Sequence, residues 1–189
     1  MNIKAIVVAL GLASMGMQTC LPAVAGEASG ESLQAIAALD VPRYMGTWYE
    51  IAKYPNWFQK KCVSDTRAEY SLQPDGRVQV INRCREDNGE MSQAFGIARQ
   101  IGAADSPRLE VRFAPAWLSF LPMVWGDYWV IDLDPDYQLV AVSEPEREYL
   151  WVLSRTRKVD AKAYEALLNR LAARGFDLGK LERTQQEAD

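Results

Sequence analysis

At 189 residues the chain is long enough for one domain with a substantial core. Its 21 basic and 25 acidic residues leave a net charge of −4, which supplies no general attraction to a phosphate backbone, so nucleic acid is not an expected partner. The sequence has no histidine, so the commonest metal ligand and the commonest general base are both missing; no metal or cofactor is expected, and most enzymatic readings lose ground.

Residues 1–25 read as a secretory signal: Lys4 supplies the positive start, Ile6 to Leu12 an apolar run, and Ala23-Val24-Ala25 a small-x-small cleavage site. The alternative is a membrane-spanning helix, but the apolar run falls short of the roughly 20 residues a bilayer needs, and Gln18 and Pro22 interrupt it. Cys20 raises a second alternative, acylation as a lipoprotein. The Met17-Gln18-Thr19 before it fits that pattern poorly, lacking the leucine-like residue and the small residue that normally precede a lipidated cysteine. Cleavage after Ala25 is therefore favoured. The expected location is the periplasm, or the outer membrane, with a lipid anchor if Cys20 is acylated.

Residues 26–39 are rich in Ala, Ser and Glu and read as a leader with a short helical stretch around 32–39; residues 40–189 form the domain. From Tyr44 onward, runs of aromatic and β-branched residues alternate with turn signals, which is the pattern of an all-β sandwich or barrel. Eight strands are predicted near 46–54, 62–73, 76–84, 91–101, 107–114, 126–133, 137–143 and 148–155. Pro74-Asp75-Gly76 is a tight hairpin turn, and Asp134-Pro135-Asp136 joins a φ-fixed proline to Asp side chains that bond their own backbone. Such short connections imply an antiparallel up-and-down meander.

Alternation separates the faces. Ala68, Tyr70 and Leu72 alternate with Arg67, Glu69 and Ser71; Val78, Val80 and Asn82 with Arg77 and Gln79; Leu109, Val111 and Phe113 with Glu110 and Arg112. One face of each strand meets water and the other an interior, and eight such strands close into a barrel that holds side chains or one small ligand. After the barrel, Asp160 caps a helix over about 161–174 that stops at Gly175. Its stripe of Tyr164, Leu167, Leu168, Leu171 and Ala172 suits packing on the outside of the barrel better than binding a partner. In an oxidising compartment the remaining cysteines, Cys62 and Cys84, read as a structural bridge; a reactive thiol would lack any histidine to activate it.

Gly46-Thr47-Trp48-Tyr49-Glu50, Asp136-Tyr137 and Ser154-Arg155 resemble, in order and spacing, the three signature motifs of the lipocalin family. The flanking text, Tyr44-Met45, Ile51-Ala52 and Tyr149-Leu150-Trp151-Val152-Leu153, is similar to the bacterial outer-membrane and apolipoprotein D branch. The likeness runs from about residue 40 to 186. It implies an eight-stranded antiparallel up-and-down barrel with a C-terminal α-helix packed outside. It also implies that Gly46, Trp48 and Arg155 close the base, with the guanidinium over the indole in a cation–π contact. One departure is Pro135 where the second motif usually opens with Thr, which alters the turn without removing it.

On that frame the connections at 74–76, 102–106 and 134–136 lie at the closed end, and those at 55–61, 85–90, 115–125 and 144–147 at the mouth. Cys62 and Cys84 then fall at the mouth ends of adjacent strands, and their bridge braces the rim. Alternation and resemblance together point Ala68, Tyr70, Val80, Asn82, Gly96, Ala98, Val111, Phe113, Tyr128, Val130, Ala141, Ser143 and Trp151 inward. Of these, Tyr70, Val80, Asn82, Phe113, Tyr128, Val130, Ala141, Ser143 and Trp151 are the candidate ligand contacts, with the polar ones able to orient a head group. A barrel filled by its own side chains is the alternative. Glu50 also points inward, where a buried carboxylate needs partners and suits a structural role better than a catalytic base.

The mouth loop from Ala116 to Trp125 is almost wholly apolar, and Trp57-Phe58 is followed by Lys60-Lys61. Trp57, Phe58, Trp117 and Phe120 therefore form either a rim for an anionic bilayer or a lid, a self-packed cluster or a dimer contact. The expected function is non-enzymatic carriage of a lipid or other apolar molecule, of the fatty-acid or lysophospholipid class, by a monomer or homodimer. The rivals are an enzyme acting on an apolar substrate and an interaction protein using its hydrophobic rim.

Overall fold

The computed structural model describes residues 32–187; the signal segment, Cys20 and residues 26–31 of the leader lie outside it. Nine strands follow one short helix: α1 (Val41–Tyr44), β1 (Gly46–Lys53), β2 (Cys62–Leu72), β3 (Val78–Glu86), β4 (Met91–Gln100), β5 (Arg108–Arg112), β6 (Gly126–Leu133), β7 (Leu139–Ser143) and β8 (Leu150–Ser154), then helix α2 (Ala161–Ala173) and β9 (Glu182–Arg183). Each of β2 to β7 pairs antiparallel with the next, and β1 pairs antiparallel with both β2 and β8, so the sheet closes into a barrel with no free edge among the first eight strands.

The turns form as their residues dictate. Gly76 takes φ +80° at the β2–β3 hairpin, where Gln73 N donates to Arg77 O. In the β6–β7 turn the Asp134 carboxylate accepts from the backbone N–H groups of Asp136, Gln138 and Leu139, and this lets Tyr137 hold φ 59°. Asp160 caps α2 by accepting from Ala163 N.

Two apolar clusters lie on opposite sides of the wall. The inner one, holding Trp48, Tyr70, Val80, Val130, Val140, Val142 and Leu153, fills the lower barrel. The outer one packs Ile51, Ile131, Leu139, Ala141, Leu150 and Val152 against Leu167 and Leu171 of α2. Burying those two leucines contributes about 1.5–3 kcal/mol each, and Arg170 adds a bidentate ion pair to Asp132 on β6.

The 32–39 stretch is not helical. It runs along the barrel instead, with Ile36 N donating to Val130 O, Leu39 N to Asp105 O, and Leu33 and Leu39 buried. Its Ala and Leu content suits a helix locally, but the barrel offers its backbone and apolar side chains better partners. Neither α1 nor β9 was foreseen.

Candidate functional site

The interior has a closed base. Trp48, fully buried, donates its indole N–H to Tyr44 O, and the Arg155 guanidinium lies 3.9 Å from its ring. Arg155 also donates to the carbonyls of Thr47, Arg43 and Tyr137, at 3.0, 2.8 and 3.3 Å, and so ties α1, β1 and the β6–β7 turn together. Gly46 holds φ +97°, which favours glycine, and a Cβ there would crowd Arg155 Nη1 at 3.3 Å.

Above the indole sits a floor of three tyrosines. The Tyr128 hydroxyl lies 2.7 Å from that of Tyr44 and 3.1 Å from that of Tyr70. Burial pushes all three phenols up, Tyr70 to about 12, so the floor is polar but neutral. Sequence reasoning found Tyr70 and Tyr128 and missed Tyr44. Its signal was weak, since a one-turn helix before β1 has no periodicity to read.

The walls follow. Val80, Asn82, Val130 and Trp151 share the inner face with Ala68, Ala98 and Val111. The Phe113 ring covers Gly96, where a Cβ would come within 2.8 Å of it. Ala141 and Ser143 face the other way, contrary to expectation. Ala141 packs in the outer cluster, and Ser143 donates to Tyr149 O, while Val140 and Val142 take the inward places on β7. All five residues of β7 are buried because α2 covers its outer face, so no alternation marked the inside.

The lower interior is filled, whereas higher up Asn82, Ala94, Val111, Phe113, Tyr128 and Trp151 point inward yet keep accessible surface. The site is thus a cup with a solid base. At its mouth, Cys62 and Cys84 form a disulfide with Cα atoms 5.5 Å apart. Phe58 packs on Tyr149 and Trp151, with ring centroids 5.6 and 6.2 Å away. Trp57 packs edge-on against Phe58, with ring centroids 5.5 Å apart, yet Trp57 and Trp117 are each 72% exposed, Phe120 74% and Met123 86%. Trp125 behaves differently, lying against Arg99 and Arg112 on the outer wall.

Glu50 is buried where β1 parts from β2. It accepts from Gln59 Nε2 at 2.7 Å and from the Thr184 hydroxyl at 2.5 Å, and burial pushes its carboxyl up. The tail after α2 fills the gap between the strands. Gln186 Nε2 donates to both Glu50 O and Thr66 O, Thr184 N donates to Ile51 O, and Asp65 N donates to Gln185 O. None of Gln59, Thr184 or Gln186 was foreseen. Among the described residues, no group of three or more cysteines and carboxylates converges as a metal site.

A model of the lipocalin-like domain matches residues 39–186. Temperature-induced lipocalin-1 of Arabidopsis thaliana is 41% identical over 158 residues, covering 82% of this chain and 84% of the relative. Outer membrane lipoprotein Blc of Escherichia coli is 38% identical, covering 78% and 79%, and apolipoprotein D of Macaca fascicularis 32%, covering 78% and 77%. Among solved structures, insecticyanin from the tobacco hornworm Manduca sexta superposes with a TM-score of 0.63 at 17% identity, over 81% of this chain and 84% of that one. With the signature motifs, the closed barrel and these matches in agreement, the chain belongs to the lipocalin family.

Proposed function

We propose that the protein carries a lipid of the fatty-acid or lysophospholipid class in its cup, for lipid storage or transport and maintenance of the cell envelope, without covalent chemistry. The observation that carries this reading is the cup itself: inward wall residues keep accessible surface above a filled base. An open cleft of about 360 Å³ beside the mouth is lined by Lys53, Trp57, Gln59 and Lys60 together with Glu182, which pairs with Lys53, so its lining carries both signs of charge. Native mass spectrometry of detergent-free protein tests the reading. A co-purified lipid supports it; an empty barrel that turns over an apolar substrate supports the enzyme instead.

Export fits the disulfide and the name of the Escherichia coli relative, an outer membrane lipoprotein. On this reading the mature protein begins at Gly26, and an intact mass corresponding to an acylated Cys20 would show the anchored form instead. No helix among the described residues is long and apolar enough to cross a membrane. Exposed Trp57, Phe58, Trp117 and Phe120, with Lys60 and Lys61 beside them, support contact between the rim and an anionic bilayer. Replacing Trp57, Trp117 and Phe120 by Ser should abolish co-sedimentation with anionic liposomes; unchanged binding refutes the contact. The protein acts as a monomer or homodimer, which the same native spectrum reports.

A further inference from the structure

The three floor tyrosines present a proton count that does not close within the protein. Each phenol carries one O–H donor. Tyr44 and Tyr70 are buried, and the Tyr128 oxygen is the hydrogen-bond partner each hydroxyl has. Buried donors are satisfied as a rule, so both donate to Tyr128, whose oxygen can accept two bonds. The Tyr128 proton is then left over. As a residue Tyr128 is half-buried, whereas Tyr44 and Tyr70 are buried.

A surplus donor at the bottom of a cup calls for an acceptor on the ligand. The acceptor should be neutral, because a carboxylate carried to the floor would keep a single hydrogen bond, too little to offset its desolvation. Arg155 does not relieve that cost, since it is committed to three backbone carbonyls at the base. A plain alkyl end would meet a phenol proton it cannot bond. We propose that Tyr128 is a specificity-determining residue, selecting apolar ligands whose leading end carries a neutral oxygen, a hydroxyl or a carbonyl. This rests on the reading of the cup as the ligand site.

The test uses a pair of ligands differing in one atom. From Cys62 at the mouth to Tyr70 at the floor, β2 advances about 20 Å along the barrel axis, which suits a twelve-carbon chain. Dodecanoic and 12-hydroxydodecanoic acid are titrated into the full-length mature protein, delipidated, with Trp fluorescence as the readout. A terminal hydroxyl buried without a partner weakens binding tenfold or more. In the wild type the hydroxy acid should therefore bind at least as tightly as the plain acid. Tyr128→Phe removes the surplus donor and should lower the ratio of affinities, hydroxy to plain, at least tenfold. Tyr70→Phe leaves the Tyr128 donor in place and should keep the ratio. A tenfold preference for the plain acid in the wild type overturns the assignment, as does an unchanged ratio in Tyr128→Phe or an equal loss in Tyr70→Phe. The wild-type ratio stands even if a variant fails to fold. Failure of the wild type to bind either acid overturns the cup reading itself, and this assignment with it.

Discussion

Removing the Cys62–Cys84 bridge, by replacing both residues with Ala, should destabilise the mouth far more than the base. The cysteines are 22 positions apart, and closing a loop of that length in the unfolded chain corresponds to about 3 kcal/mol in the chain-entropy account. For a domain of this size that is a fall in Tm of roughly 6–12 °C. The local effect follows from the ladder. The β2–β3 register is broken twice, between Cys62 and Ser64 and again between Ser64 and Arg67, whereas from Arg67 to Leu72 it is regular. The bridge thus lies at the end where backbone pairing is weakest. Thermal unfolding followed by circular dichroism gives the global figure, and native-state hydrogen exchange shows where it falls. Amides of 62–66 and 84–86 should exchange faster while those of 68–72 and 78–82 keep their protection. A loss below about 1 kcal/mol, or loosening spread evenly along β2 and β3, would refute this account.

Two further outcomes follow from the base and the seam. Arg155→Ala removes three hydrogen bonds from a charged donor and one cation–π contact, and should cost about 2–4 kcal/mol; urea denaturation measures it, and Arg155→Lys, with no planar fork, should recover little. The raised Glu50 carboxyl binds its proton more tightly folded than unfolded, so its contribution is present below the ordinary carboxylate value and lost as pH rises through the folded one. Asp65 and Glu69, whose carboxyls are lowered, push the other way, gaining stability as pH rises. In Glu50→Gln the stability difference from wild type should therefore shift in favour of the variant as pH rises above the ordinary carboxylate value; a difference that stays flat with pH counts against the buried carboxyl.

How legible the protein was in its sequence depended on water. Strands with one wet face, such as β2 with Arg67 and Glu69 outside and Ala68 and Tyr70 inside, announced their orientation. Under α2 no face of β7 is wet, so Ala141 and Ser143 were assigned to the wrong side while Val140 and Val142 line the interior. The base was legible because Gly46, Trp48 and Arg155 are unusual residues in fixed order. Tyr44 was not, because its place depends on a single turn of helix, nor were Gln59, Thr184 and Gln186, polar residues without periodicity whose partners lie far away in sequence.

That distance gives the seam a history as well as a shape. The Thr184 bond to Glu50 spans 134 residues, and β1 cannot be sealed against β2 near the mouth until the tail has been made and delivered. Contacts of such high sequence separation form late in folding, after their loop-closure entropy has been met. The nascent barrel must therefore pass through a stage with its side slit open and Glu50 uncovered. Clipping of residues 182–187 by a protease would return the mature protein to that stage without touching a single wall strand.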